Sequence, residues 1–236
     1  MTDSDKHGKE PTRHHAALMD EVYRRQRHIY DLTRKYYLLG RDRLVRELDS
    51  KPGQAIVEIG CGTARNLIRI AGQYPGATLY GLDASHEMLR TAEEAVRKAG
   101  LSGRITLVHG YAEALRPAMF GLAKPFDHAI FSYSLSMIPD WRGALAAAAG
   151  SVAPEGRIHI VDFGDFGGFW GPAGATLRWW LRLFHVSPRK ALLKHVEMAK
   201  GAQNRLYILP GRYAFVFHAS PAAVTALGGE QARNDV

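Results

Sequence analysis

Cysteine is nearly absent: the single Cys61 in 236 residues excludes an intrachain disulfide and suits a reducing compartment. Long apolar runs are missing too, and none approaches the roughly 20 residues that span a bilayer. The polar, charged N-terminus has no signal-peptide pattern. The expected location is therefore cytoplasmic, either soluble or peripheral to the inner face of the cell membrane. Metal-ligand spacing is also lacking. The eleven histidines form no His-x-x-x-His pair and no Cys/His cluster, and His14 and His15 precede the folded region, so no metal is expected. Acids are outnumbered, 23 against 31 Lys and Arg, which leaves a formal charge of +8 and favours anionic surfaces. Charge alone admits a nucleic-acid binder. Such a protein would set bases on aromatics along a basic cleft, whereas here aromatics and arginines concentrate in one segment, so no nucleic-acid partner is expected. Internal repeats are absent.

What is present is an alternation of strand and helix signals. Gln54 to Ile59, Ala77 to Leu82, Arg104 to His109, Asp127 to Ser132 and Gly156 to Val161 read as strands. Between them Leu67, Ile70, Ala71 and Tyr74 mark one helix face before Pro75, and Ser85 can cap a helix that ends at Gly100. Trp141 to Ala149 supplies a further helix. Leu206 to Leu209 and Tyr213 to Phe217, joined through Pro210 and Gly211, read as a closing hairpin. The pattern predicts an α/β fold: a seven-stranded, mostly parallel sheet with helices on both faces and one antiparallel strand. Residues 1–13 are expected to be disordered and 219–236 to be a flexible tail, leaving 14–218 as one domain. Within it, 14–48 reads as two helices broken at Gly40, an N-terminal lid over the sheet.

The most informative stretch is Val57-Glu58-Ile59-Gly60-Cys61-Gly62-Thr63-Ala64-Arg65-Asn66. An apolar strand breaks into a Gly-x-Gly turn and opens a helix, where backbone can approach a ligand and free N–H groups await it. Asp83, at the end of the next strand, is placed to accept both hydroxyls of a ribose. Arg65 stands where a dinucleotide fingerprint has its third glycine, which disfavours a nicotinamide dehydrogenase. Cys61 reads as a small residue that fits the turn, since no base adjoins it.

These residues resemble motif I of the Rossmann-like S-adenosylmethionine (SAM) methyltransferases, where Glu-x-Gly-x-Gly-Thr is common. The resemblance implies SAM as cofactor, with Gly60 and Gly62 facing its methionine end, Asp83 on its ribose, and Glu58, Ala84 and Met88 among the contacts. Related enzymes carry an acid after the third strand to read the adenine amino group. Tyr111 holds that position here, so stacking, or a backbone contact from Ala112, has to serve. Ser132, at the carboxyl edge of the fourth strand, is expected to touch the methionine moiety, and Tyr133 to border the methyl group or simply to join the core.

Two further segments carry a narrower resemblance. The lead-in from Tyr23 to Arg43 resembles that of bacterial enzymes that methylate diacylglyceryl-homoserine to the betaine lipid diacylglyceryl-trimethylhomoserine, and also that of quinone-biosynthesis C-methyltransferases. The likeness to the first group runs from about His14 to Ser220. It includes residues 163–190, where 7 of 28 positions are aromatic and Arg178, Arg182, Arg189 and Lys190 are interleaved. Such a mixture suits a helix in a membrane interface, or a lid over a small-molecule site. Tyr23 to Arg46 holds eight basic residues against two acids, a cationic face for an anionic membrane. The reading is N-methylation, three times, of a membrane lipid head group. Tyr30 and Tyr37, with Tyr133, would surround the amine as it becomes a fixed cation. Arg41 or Arg212 would hold the substrate carboxylate, Asp162 would position the ammonium or else cap the insertion, and Tyr213 would lie beside them. Phosphatidylethanolamine or a prenylated quinone ring is the nearest alternative acceptor.

Overall fold

A computed structural model describes residues 38–168, 190–201 and 203–229. Tyr30, Tyr37 and most of the lead-in lie outside the described residues, as do 169–189 of the aromatic insertion. The elements run α1 (Arg41–Arg46), β1 (Ala55–Ile59), α2 (Arg65–Gln73), β2 (Thr78–Asp83), α3 (His86–Lys98), β3 (Ile105–His109), β4 (Phe126–Ser132), α4 (Trp141–Ser151), β5 (Val152–Phe163), α5 (Lys190–Met198), β6 (Arg205–Ile208), β7 (Ala214–Ala219) and α6 (Pro221–Gly229). They build one seven-stranded sheet in the order β3-β2-β1-β4-β5-β7-β6. Strands β1 to β5 pair in parallel, and β7 runs antiparallel to both β5 and β6, the single reversed strand that the closing hairpin predicts.

Alternate strand residues feed two apolar layers. Ile56, Leu79, Ile130, Val161 and Val216 face α1, α2 and α3, while Val57, Leu82, Phe131, Ile160 and Phe217 face α4, α5 and α6. Central strands covered on both faces are mostly apolar, and of the polar residues of β1 and β4, Glu58, His128 and Ser132 are buried with them. Helix starts follow local chemistry: Ser85 Oγ accepts from the Met88 N–H at α3, and the Asp140 carboxylate accepts from the Gly143 N–H at α4.

Two expectations are corrected. The segment after 218 does not begin as a flexible tail: Ala219 ends β7, and α6 buries Val224 and Leu227 against α4. Ala144 and Ala148 make a smooth surface there, so a helix without a strong apolar stripe can pack closely. At the start of the insertion, Phe163 and Phe166 are buried core residues, edge-on to Tyr213, rather than part of an exposed aromatic face.

Beyond β5 the chain keeps pairing with the turn before β7. Gly164 N–H donates to Tyr213 O, Phe166 N–H to Arg212 O and Gly168 N–H to Gly211 O. A Cβ on Gly164 would stand 2.0 Å from Arg212 O, so only glycine fits. Among the described residues, no helix is long and apolar enough to cross a membrane.

Candidate active site

The carboxyl ends of β1, β2 and β4 meet at the Gly-x-Gly turn. Gly60, Gly62 and Ala64 have φ of 73°, 54° and 59°, three left-handed residues that coil the chain tightly from strand into helix. Ala64 occupies this conformation despite its Cβ. Gly60 also lies against β4, where a Cβ would sit 2.6 Å from Ser134 Cβ. The turn is tied to β2 by Gly60 N–H and Cys61 N–H, both donating to Leu82 O.

Asp83 is oriented by two backbone donors: Oδ2 accepts from Gly62 N–H at 2.7 Å and Oδ1 from Ser85 N–H at 2.9 Å. A carboxylate has about four acceptor directions, more than these two donors occupy. Glu58, buried beneath the turn, accepts from Asn66 Nδ2 at 2.7 Å. Burial, and then the negative charges of Asp83 and Glu58, push the Cys61 thiol well above its ordinary range, which makes it a packing residue and not a nucleophile.

An open cleft of about 390 Å³ lies over the turn, lined by Leu38, Arg41, Glu58, Gly60, Cys61, Thr63, Arg65, Asn66 and Ser132. Four residues expected at the site from sequence, Arg41, Glu58, Gly60 and Ser132, thus come together, with Gly62 and Asp83 joined to them by the bond just described. Ser132 Oγ is buried and has no hydrogen-bond partner, an orphan that a ligand in the cleft can satisfy. The donor set fits SAM: acidic Glu58 and Asp83 suit its cationic and hydroxyl-bearing parts, and Arg41 and Arg65 suit its carboxylate. The sequence marks Arg65 only as a departure from the dinucleotide fingerprint, and nothing in it singles out Asn66.

The adenine-side residues gather around His109. Its Nε2 lies 3.0 Å from the Ala84 carbonyl, an acceptor only, so that nitrogen carries the proton. The His109 ring stacks on His86 at 3.7 Å and meets Tyr111 edge-on at 6.3 Å. Met88 is buried in the first turn of α3, and Ala112 in the short 3₁₀ turn Ala112–Ala114. Neither histidine was singled out beforehand, because nothing in sequence pairs positions 86 and 109.

The acceptor-side expectations change more. Tyr133 has φ of 58° and is buried, its ring edge-on to Phe163 and its hydroxyl donating to Leu39 O. That hydroxyl clasps the end of the lead-in, which makes Tyr133 a positioning residue. Asp162 is buried at the end of β5, with Oδ2 accepting from Ser136 N–H and Oδ1 from Phe163 N–H. Burial raises its pKa to about 6 despite those bonds. It braces the loop after β4, and its two oxygens face backbone instead of a substrate ammonium. Arg212 forks onto Asp165 at 2.7 and 2.9 Å and reaches Glu197 at 2.9 Å. With both neighbouring carboxylates on it, Arg212 is a structural tie and not a free clamp for substrate, and its hydrogen bonds hold Asp165 below the usual carboxylate range. Tyr213 packs between Phe163 and Phe166 in the same core cluster. Of the two arginines expected to read a substrate carboxylate, Arg41 alone lines the cleft.

Comparison with known proteins agrees with this geometry. A family model described as a methyltransferase domain matches residues 56–156. A demethylmenaquinone methyltransferase of Bacillus cytotoxicus is 31% identical over 52% of this chain and 50% of its own. A ubiquinone/menaquinone biosynthesis C-methyltransferase of Syntrophotalea carbinolica is 30% identical over 68% of this chain and 65% of its own. The chain thus spans between half and 65% of the length of these two curated relatives. A SAM-dependent methyltransferase structure from Aquifex aeolicus superposes with a TM-score of 0.55 over 79% of this chain and 92% of that one, at 17% identity, a likeness of fold. Residues 56–156 thus match the methyltransferase-domain model, and the sheet that carries them has the fold of the SAM-dependent methyltransferases.

Proposed function

We propose that the protein transfers the methyl group of SAM to a ring carbon of a quinone-type acceptor with a long apolar tail. The cleft over the Gly60–Gly62 turn carries the SAM part of this reading, because it gathers two acids, two arginines and an unsatisfied serine in one opening. The acceptor part is supported by the two relatives, whose names both specify quinone precursors. SAM supplies an electrophilic methyl group on a sulfonium. Asp83 would accept its ribose hydroxyls, Arg41 and Arg65 its carboxylate, and Ser132 the neighbouring polar atoms. Glu58 puts negative charge under the same cleft, which favours a cationic donor there. What this chain supplies is orientation and dehydration, the main requirements of an in-line displacement. Leu38 lines the cleft and Leu39, 48% exposed, lies at its edge, an apolar lip suited to a lipid-borne acceptor. Such an acceptor would be met at an anionic membrane surface, toward which the exposed Arg46 of α1 contributes positive charge.

A second reading, N-methylation of a homoserine-linked diacylglycerol, keeps one observation in its favour: Arg41 in the cleft could fork onto the head-group carboxylate. Purified protein would be offered a demethylated menaquinol and the homoserine lipid in separate mixed micelles with labelled SAM, and products resolved by mass. Label on the ring carbon is expected. Label on the lipid nitrogen instead would reverse the order of the two readings, and label on neither would remove both.

A further inference from the structure

The left-handed turn between β1 and α2 folds the chain back on itself and brings together two side chains eight positions apart. Glu58 lies inside β1 and Asn66 in the first turn of α2, and Asn66 Nδ2 donates to Glu58 Oε1 at 2.7 Å. This bond settles which way the Asn66 amide faces. A carboxylate only accepts, so the atom against Glu58 is the nitrogen, and Oδ1 points away from it. Asn66 lines the cleft, and no donor among the described residues takes up its Oδ1. Glu58 is 1% exposed and Asn66 half-buried, so Asn66 presents the surface that a ligand meets while Glu58 supplies the charge behind it.

The amino-acid end of SAM carries a carboxylate and an ammonium on one carbon. Arg41 and Arg65 are donors only, so they serve the carboxylate and repel the ammonium, which needs oxygen acceptors in a negative field. Thr63, Asn66 and Ser132 bring the neutral side-chain oxygens to the cleft lining. Of these, Asn66 is the one bonded to a carboxylate, and donation from Nδ2 to an anion draws further negative charge onto Oδ1. Ser132 Oγ, buried without a partner, is a second acceptor beside it in the same lining.

We propose that Asn66 reads the ammonium of the cofactor: Oδ1 accepts one of its N–H groups and Ser132 Oγ another, while Glu58 is a positioning residue that fixes the amide and supplies negative charge from behind. A neutral amide at this place has a use that a second exposed carboxylate would not have. It takes the ammonium without repelling the carboxylate on the same carbon, which has to reach Arg41 and Arg65. The assignment rests on the reading of the cleft as a SAM site and is independent of the acceptor that is methylated.

The test compares, by titration calorimetry, S-adenosylhomocysteine with its desamino analogue, in which hydrogen replaces the ammonium and the carboxylate is kept. The wild type should prefer S-adenosylhomocysteine by about tenfold or more, the loss expected when a hydrogen bond to a charged group goes unmade. Asn66→Ala should weaken S-adenosylhomocysteine by about tenfold and leave the desamino analogue within about twofold, so that the preference collapses. The same variant leaves Glu58 buried without this donor and should melt lower, and its affinity for the desamino analogue shows that the rest of the cleft survives. Glu58→Gln removes the charge, keeps an oxygen for Asn66 Nδ2, and should lose much of the preference while holding the desamino analogue as well as the wild type or better. Equal affinity of the wild type for the two ligands, a parallel loss of both in Asn66→Ala, or an undiminished preference in Glu58→Gln overturns the assignment and leaves the SAM reading standing. A wild type that binds neither ligand removes the SAM reading and this inference with it.

Discussion

Replacing Asp83 by Asn probes the turn and the cofactor together. Asp83 has one oxygen on Gly62 N–H and the other on Ser85 N–H. Asn keeps a single oxygen, and its NH₂ group would oppose whichever backbone N–H remains. One charge-assisted bond from a buried residue to the half-buried Asp83 is lost, worth about 2 kcal/mol. For a chain of 236 residues this lowers the melting temperature by roughly 4–8 °C. A ribose would lose one of its two charge-assisted bonds as well, so affinity should fall tenfold to a hundredfold beyond any effect on folding. Thermal scans and titration calorimetry with S-adenosylhomocysteine measure the two effects independently. A variant that melts like the wild type, or binds within threefold of it, would mean that Asp83 neither ties the turn nor holds the ribose.

Ser132→Ala should leave the unliganded protein as stable or slightly more so, because its buried hydroxyl has no partner to lose, yet weaken S-adenosylhomocysteine by about three- to tenfold. Calorimetry showing unchanged affinity would take Ser132 out of the site. Asp162, with its pKa raised to about 6, binds its proton more readily folded than unfolded, so the wild type loses stability as pH rises from about 4 to about 6, by up to about 3 kcal/mol. Asp162→Asn should lack that component; denaturation profiles of the two proteins that stay parallel across this interval would contradict it.

The sheet was legible because its signals are local. Alternating β and α segments, the Gly-x-Gly turn and Asp83 are all written in adjacent residues, and their strands form within a few positions of the expected boundaries. The start of β5 was less so, since Pro154-Glu155-Gly156 looks like a turn. In the sheet the strand runs through it from Val152, with a register shift against β4. At α6 the surroundings decide: Val224 and Leu227 are too few to mark a helix until the alanine face of α4 lies opposite. Site residues followed the same division. Those near the turn could be named from spacing, but Tyr133, Asp162 and Arg212 had the right chemistry with partners that only the fold supplies: a lead-in carbonyl, loop amides, and carboxylates at 165 and 197. The contact of His128, His159 and His218 was invisible for a stronger reason, as these residues meet only through the pairing of three strands.

Arg212 grips Asp165 just after β5 and Glu197 on α5, and the glycines at 164 and 168 seat the outgoing chain against residues 211–213. Residues 169–189 therefore depart from and rejoin the protein at two points fastened to one side chain. Closure of that segment is already fixed at its base, and further length adds cost slowly, about 0.6 kcal/mol per doubling. Grafting the corresponding piece of a relative between Gly168 and Lys190 should therefore leave every strand of the sheet in register.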